Sequence, residues 1–341
     1  DFYEAKKYYN QSADLNNSVG QMSLGILYLE QGDIQKAIHY LTLASNNNFK
    51  YAQFALACIY KTSKFNHFDK IKSHHYFIKS ESFKYSLLEL GTYYFRHGFN
   101  DIAIYYFTEA HKQNVVEAQM YLGYIYLTID INKSIYYLTF AANNGDDKSQ
   151  NLLGMIYLQS KNVPHDIDKS IFYLTLSAHQ KNKNSLFTLG FIYRYYKDDP
   201  KKAFFYLNEA AKQNHADAFY HLGILYYDKD TPYFDINKSI DCFTQGSKRN
   251  NQQSSFRLGI IYSENKIVPM NMNKAIYYYK NSSSFNNQYA KNNLAMILQN
   301  GIYVKKNLWY AIELLNEAIR KKNDGVSMYN LAYIYFFDND I

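Results

Sequence analysis

The sequence predicts an all-α solenoid of antiparallel helix pairs stacked one after another. Three observations predict it. A short motif, Leu-small-x-x-Tyr, returns about every 34 residues from Leu24 to Leu331, and a period of that size means a stacked helical array. A second mark alternates with the first: a small residue, an apolar one after it, and usually an aromatic three places on. Only 4 prolines and 14 glycines occur in 341 residues, which argues against a loop-rich or all-β chain.

The first mark places a helix A in each repeat. In chain order it reads Leu24-Gly25 with Tyr28, Leu56-Ala57 with Tyr60, Leu90-Gly91 with Tyr94, Leu122-Gly123 with Tyr126 and Leu153-Gly154 with Tyr157. It continues with Leu189-Gly190 and Tyr193, Leu222-Gly223 and Tyr226, Leu258-Gly259 and Tyr262, Leu294-Ala295 and Leu298, and Leu331-Ala332 and Tyr335. The second mark places a helix B, at Ala5, Ala37, Ser73, Ala103, Ser134, Ser170, Ala203, Ser239, Ala275 and Ala311. Spacings of three and four put each set on one helix face. Small residues at the A/B contact let the two helices approach closely. A Gly inside helix A loses about 1 kcal/mol against Ala, so that contact must offset it.

The two connections differ. From the helix-B small residue to the next helix-A small residue the distance is 20 in eight of ten cases, whereas the A-to-B gap varies, for example 12 from Gly25 to Ala37 and 16 from Gly154 to Ser170. The B-to-A turn is therefore set by packing, and the A-to-B loop is a surface loop that tolerates insertion. Asp or Asn stands four places before the helix-B small residue at Asp1, Asp33, Asp69, Asp130, Asp166, Asp199, Asp235, Asn271 and Asn307, where a short acceptor can cap helix B. All four prolines fall in A-to-B loops or the first turn of helix B, and Asp199-Pro200 reads as N-cap then first helical residue.

Composition bounds the function. Hydrophobic residues at 47% supply a core, and no apolar run approaches the roughly 18 residues of a membrane span. Two cysteines, five repeats apart at Cys58 and Cys242, exclude a disulfide scaffold. The charge of +7 does not demand nucleic acid. Its lysines sit mostly at one repeat position, just before the helix-B small residue (Lys36, Lys72, Lys133, Lys169, Lys202, Lys238, Lys274), which is a scaffold position. Nucleic-acid binding is disfavoured accordingly. Tyr (38) and Phe (23) have AT-rich codons, so their abundance alone indicates no binding surface.

The stretch from Ala210 to Tyr226, AAKQNHADAFYHLGILY, resembles the Sel-1-like repeat, a relative of the tetratricopeptide repeat. Ala141-Ala142-Asn143-Asn144-Gly145-Asp146 leading to Leu153-Gly154, and the segments Val163 to Ser170 and Val268 to Ala275, resemble it too. The constant B-to-A gap and variable A-to-B loop favour this class over the tetratricopeptide repeat proper. Departures are Ala57, Ala295 and Ala332 for Gly, Leu298 for Tyr and Cys242 for the aromatic. The resemblance implies a right-handed superhelical solenoid over residues 1–341, a single array of about nine to ten helix pairs with a partial repeat at each end. That reading expects a segment of a longer chain, with Phe2, Tyr8 and Tyr335 left without capping elements. It also implies adaptor roles in multi-protein complexes. The alternatives are a regulatory repeat region of a larger enzyme such as a protein kinase, and an adaptor of endoplasmic-reticulum-associated degradation. Of the compartments, the cytoplasm is preferred over the reticulum lumen.

Catalytic motifs are absent. There is no G-x-G pair, no C-x-x-C, and no two histidines four apart. Only one of His74-His75 can face the core of helix B. Asp146-Asp147 and Asp198-Asp199 sit beside helix starts and read as caps. Five N-x-S/T sequons, at Asn10, Asn16, Asn132, Asn237 and Asn281, are near the chance number and indicate nothing about secretion. The reading is a non-catalytic scaffold with no cofactor and no metal, whose ligand is a protein or peptide.

Two surfaces are candidates for that ligand. The concave helix-A face is the first, through residues two before, two after and five after the motif Leu. The partner-binding residues there are Tyr124, Leu127, Phe187, Phe191, Arg194, Tyr220, Tyr227 and Phe256, with Met120, Ile224 and Ile260 beside them. An aromatic strip on the B helices is the second: Tyr105, Tyr136, Phe172 and Phe205, two places after the small residue in four successive repeats. Burial against the neighbouring B helix would remove it as a surface.

Overall fold

The computed structural model describes residues 2–62, 67–264, 266, 268–322 and 324–337. Among the described residues stand twenty α-helices and no strand. The B helices are α1 (Phe2–Asp14), α3 (Ile34–Asn46), α5 (Lys70–Lys79), α7 (Asn100–Lys112), α9 (Ile131–Asn143), α11 (Ile167–His179), α13 (Pro200–Lys212), α15 (Ile236–Lys248), α17 (Met272–Ser284) and α19 (Leu308–Lys322). The A helices are α2 (Ser18–Glu30), α4 (Lys50–Lys61), α6 (Lys84–Arg96), α8 (Val116–Tyr126), α10 (Asp147–Gln159), α12 (Lys183–Tyr195), α14 (Ala216–Tyr227), α16 (Gln252–Ser263), α18 (Gln288–Asn300) and α20 (Gly325–Phe337). The chain forms two compact units, Asp1–Ser170 and Ile171–Ile341. In the first, α1 to α10 pack each on the next; in the second, α12 to α20 do the same. A helices also meet A helices, α6 with α8 and α8 with α10 in the first unit, and α12 through α20 in succession in the second. Each unit is thus a solenoid of helix pairs, as the repeat predicts.

In the seven repeats that have it, the helix-A glycine leaves room for a helix-B side chain, and Ala57, Ala295 and Ala332 take its place in the other three. A Cβ on Gly25 would stand 2.7 Å from Leu41, and one on Gly123 2.5 Å from Leu138 Cγ. At Gly91 and Gly223 the neighbours are the rings of Phe107 and Phe243. In every case the intruding side chain lies four residues after the helix-B small residue, so it projects from the same face one turn on. Where Ser is the small residue, its hydroxyl donates to a carbonyl of helix A: Ser73 to Ala57 (2.9 Å), and Ser134, Ser170 and Ser239 to Gly123, Gly154 and Gly223 (2.7 Å each). The hydroxyl and the small volume both suit this contact, which explains why Ser and Ala interchange there.

A left-handed residue sets the B-to-A turn. Asn16, Asn48, Asn114, Asn214, Asn250 and Asn286 all take positive φ, and Gly145 stands at the equivalent place. Asn tolerates that region better than other side-chain-bearing residues. The following N–H reaches back five residues, as Val115 to Ala110 and His215 to Ala210, which closes the helix. This fixed closure is the physical source of the constant gap of 20. Between α5 and α6 the gap is 18, and there the turn from Ser80 to Phe83 has no positive-φ residue.

The helix-B caps are where the sequence places them. Asp33, Asp69, Asp130, Asp166, Asp199, Asp235, Asn271 and Asn307 accept backbone N–H bonds at the first turn. Asp1 lies outside the described residues. Helix α7, which has Phe99 instead, has no side-chain cap. The repeated lysine joins this cap to the helix pair. Lys36 pairs with Asp33 at 2.9 Å and lies over the Tyr28 ring at 5.3 Å, and Tyr28 stacks on Tyr40 of helix B. The same group recurs around Lys72 and Lys202. At Cys242 the stack is missing, and Tyr226 instead meets the edge of Phe204.

Gly123→Ala should test the A/B contact. Helix propensity favours Ala by about 1 kcal/mol. The Leu138 clash should outweigh it, and the variant should lose about 1–3 kcal/mol in denaturant unfolding. A gain in stability would show that the helices do not approach as described.

Candidate partner surfaces

On the A-helix side of the first unit, Tyr124 of α8 is 57% exposed. It borders a cavity of about 420 Å³ between α6, α8 and α10, with Phe95, Met120, Tyr121, Lys148 and Asn151. The walls are set by ring contacts. Tyr121 stacks on Phe107 at 4.8 Å, and Phe95 meets Tyr121 at 5.7 Å, so the cavity has a rigid aromatic side. Leu127 caps the end of α8, half-buried, outside this cavity.

In the second unit the predicted residues divide into two groups. Phe187, Phe191 and Arg194 of α12 converge on His221 of α14. Phe187 stacks on His215 at 4.5 Å, Phe191 meets His221 edge-on at 5.7 Å, and the Tyr195 hydroxyl lies 3.4 Å from His221 Nδ1. Arg194 donates to the His221 carbonyl oxygen at 3.1 Å, so its guanidinium is committed to joining two helices. The other group is half-buried, with Tyr220 against Phe243 and Phe256 against Tyr279, and lines open cavities. Tyr220 and Phe256 border a cavity of about 580 Å³ with Arg257, Tyr289 and Lys291. Tyr227 borders another of about 740 Å³ with Ile224, Phe243 and Arg257. Arg257 falls one place before the motif Leu, a position the sequence reading leaves out of the face.

The B-helix strip is exposed. Tyr105 and Tyr136 in the first unit, and Phe172 and Phe205 in the second, are between 53% and 60% accessible. Burial against a neighbouring B helix therefore does not account for them. Tyr8 and Tyr335 are exposed as well, while the Phe2 side chain lies outside the described residues.

Titratable groups are placed as structural parts. His74 turns inward against Tyr93 and Tyr94, and His75 is exposed. Asp146 caps α10 by accepting from Ser149 N at 2.7 Å. Burial pushes the Cys58 thiol up to about 11 and Cys242 to about 12, so both are protonated at neutral pH. Among the described residues no three His, Cys, Asp or Glu side chains are grouped to hold a metal, and no helix is long and apolar enough to cross a membrane.

A model of the Sel1 repeat matches residues 1–17, 18–49, 116–146, 147–182, 189–215, 252–284, 288–323 and 325–341, more than half of the chain. The unmatched stretch 50–115 contains Ala57, the short α5 and the uncapped α7, and the stretch 216–251 contains Cys242. Among solved structures the chain is similar to a protective antigen present in uropathogenic Escherichia coli strains that displays an SLR fold. The TM-score is 0.82 at 22% identity, over 99% of this chain and 76% of that one. It is also similar to a Sel1 repeat protein from Oxalobacter formigenes, with TM-score 0.64 at 20% identity over 96% of this chain and 89% of that one. At these identities the likeness speaks to the fold. The comparison with curated proteins returned no match.

The His221 cluster should make stability pH-dependent. Burial, with the Arg194 charge beside it, pushes His221 down from 6.5 to about 4. Between those values the unfolded chain takes up the proton and the folded chain does not. The contribution is therefore whole above about pH 6.5 and lost as pH falls toward 4, on the order of 3 kcal/mol at most. Denaturant unfolding at pH 7.5 and pH 5 should show a smaller acid loss in His221→Leu than in the parent chain. An equal loss in both would place the titration elsewhere.

Proposed function

Because the chain belongs to the Sel1 repeat family, we propose that it is a non-catalytic scaffold that holds a protein or peptide partner on the face formed by its A helices. Proteins of this family and its tetratricopeptide-like relatives generally mediate protein–protein interactions, and Sel1 scaffolds are generally non-catalytic. One observation carries the choice of face. In each unit the A-helix side has open cavities bordered by aromatic side chains: the exposed Tyr124 in the first, and in the second Tyr220, Tyr227 and Phe256, which are half-buried against the helix pairs and present one side to a cavity. Cavities of this size accept one or two side chains of a partner. Rigid aromatics at their rims are the side chains most often found as interface anchors.

Phe187, Phe191 and Arg194 take a supporting part in this reading. They fix α12 against α14 through His221 and so position the face. Leu127 marks its edge in the first unit.

A partner isolated by affinity capture should bind Tyr124→Ala and Tyr227→Ala more weakly, by about 1–2 kcal/mol each. Helicity and unfolding midpoint should stay nearly unchanged. Tyr105→Ala and Phe205→Ala should leave affinity as it was. The reverse pattern would move the site to the B helices.

A further inference from the structure

The geometry points to an acidic peptide segment as the ligand of the second unit, its carboxylate held by Arg257 between two side-chain cavities. This deepens the A-helix reading and rests on it.

Arg257 projects from α16, and its residue is exposed. It lines both the cavity with Tyr220, Phe256 and Tyr289 and the cavity with Ile224, Tyr227 and Phe243. The other charged groups of these walls are largely committed. Lys291 is almost wholly buried and pairs with Glu317 at 2.6 Å. Lys266 pairs with Glu264 at 3.1 Å. Asp228 accepts the Asp230 N–H at 3.1 Å. Asp230 and Lys229 stand together on the exposed loop after α14. Among the described residues Arg257 has no hydrogen-bond, ion-pair or ring partner, unlike Arg194 and Arg249 of the same unit. A planar guanidinium offers a fixed fork of donors that matches a carboxylate in two parallel bonds.

The surroundings select the rest of the ligand. An extended chain sends successive side chains to opposite sides. With its acid on Arg257, the residues two places before and two places after would face the two flanking cavities, where Tyr220, Phe256 and Tyr289 on one side and Ile224, Tyr227 and Phe243 on the other stand among polar and charged side chains. Gln253 and Gln288 line the first cavity and bring amides suited to a peptide backbone. An unpaired guanidinium between two cavities of mixed apolar and polar lining suits a peptide. A polyanion needs a row of free cations, and many of the repeated lysines are paired with their cap aspartates.

The test uses the full chain on an array of synthetic nine-residue peptides. One set has Asp or Glu at the centre, a matched set has Asn or Gln, and the flanks are randomised. The strongest binders should have aromatic or branched aliphatic residues two places to either side of the acid. Replacing that acid by its amide should weaken binding about tenfold or more. In Arg257→Gln the difference between acid and amide should vanish, and in Arg257→Glu a central Lys should be preferred. Retention of the acid preference in Arg257→Gln, selection of peptides without an acid, or no retained peptide would each overturn this inference. The A-helix reading fails separately, if the Tyr124 and Tyr227 variants bind the captured partner as tightly as the parent.

Discussion

Everything in each unit depends on how closely helix A approaches helix B. The glycine after the motif Leu removes a side chain where Leu138, Leu207 or the rings of Phe107 and Phe243 must enter. The motif Leu beside it is fully buried in nearly every repeat. Once that distance is set, the tyrosines of the two helices meet face to face, as Tyr94 on Tyr106 and Tyr193 on Tyr206. The lysine then reaches from the cap aspartate across the tyrosine ring. Burial, stacking and capping are thus consequences of one steric allowance rather than independent devices. Repeat stability is a sum of such local contacts, since each pair touches only its neighbours.

The same arrangement divides labour between the helices. The pairing uses the apolar face of helix B, its cap and its lysine, so the charge at this repeated position is structural. Helix A retains side chains that the pairing does not bury, such as Tyr124, and others, such as Phe256, that pack on helix B and still border a cavity. Those two before and two after the Leu, such as Phe256 and Tyr124, lie beside the cavities between successive A helices. A scaffold built this way can vary its ligand face while its pairing residues stay the same. The exposed Tyr105 and Phe205 show that the B helices also offer apolar surface.

Much of this was legible in the sequence because it repeats. The helix pairs, the caps at Asp33 through Asn307 and the small-residue contact each leave a mark at fixed spacing. The turn asparagines were not recognised. Asn is abundant in this composition, and nothing at Asn114 or Asn214 in isolation distinguishes a left-handed residue from codon bias. The site was legible only in outline. Spacing places Phe191 and Arg194 on the same face as Tyr124, yet His221 draws both into a contact between α12 and α14. Which of two neighbours on a face is consumed depends on a side chain of the next helix, and no spacing within one helix records that. Arg257 was missed for the same reason. At the equivalent place Tyr121 is stacked on Phe107 and His221 is enclosed, whereas Arg257 of α16 is exposed.

The central claim is that helix B builds the unit and helix A meets the partner. Hydroxyl-radical footprinting of the bound and free protein tests it most directly, because both faces carry reactive aromatic side chains. The account predicts that a bound partner shields Tyr124, Tyr227 and Tyr289 while Tyr105, Tyr136, Phe172 and Phe205 react as they do in the free protein. Shielding of the second group with the first unchanged would contradict it.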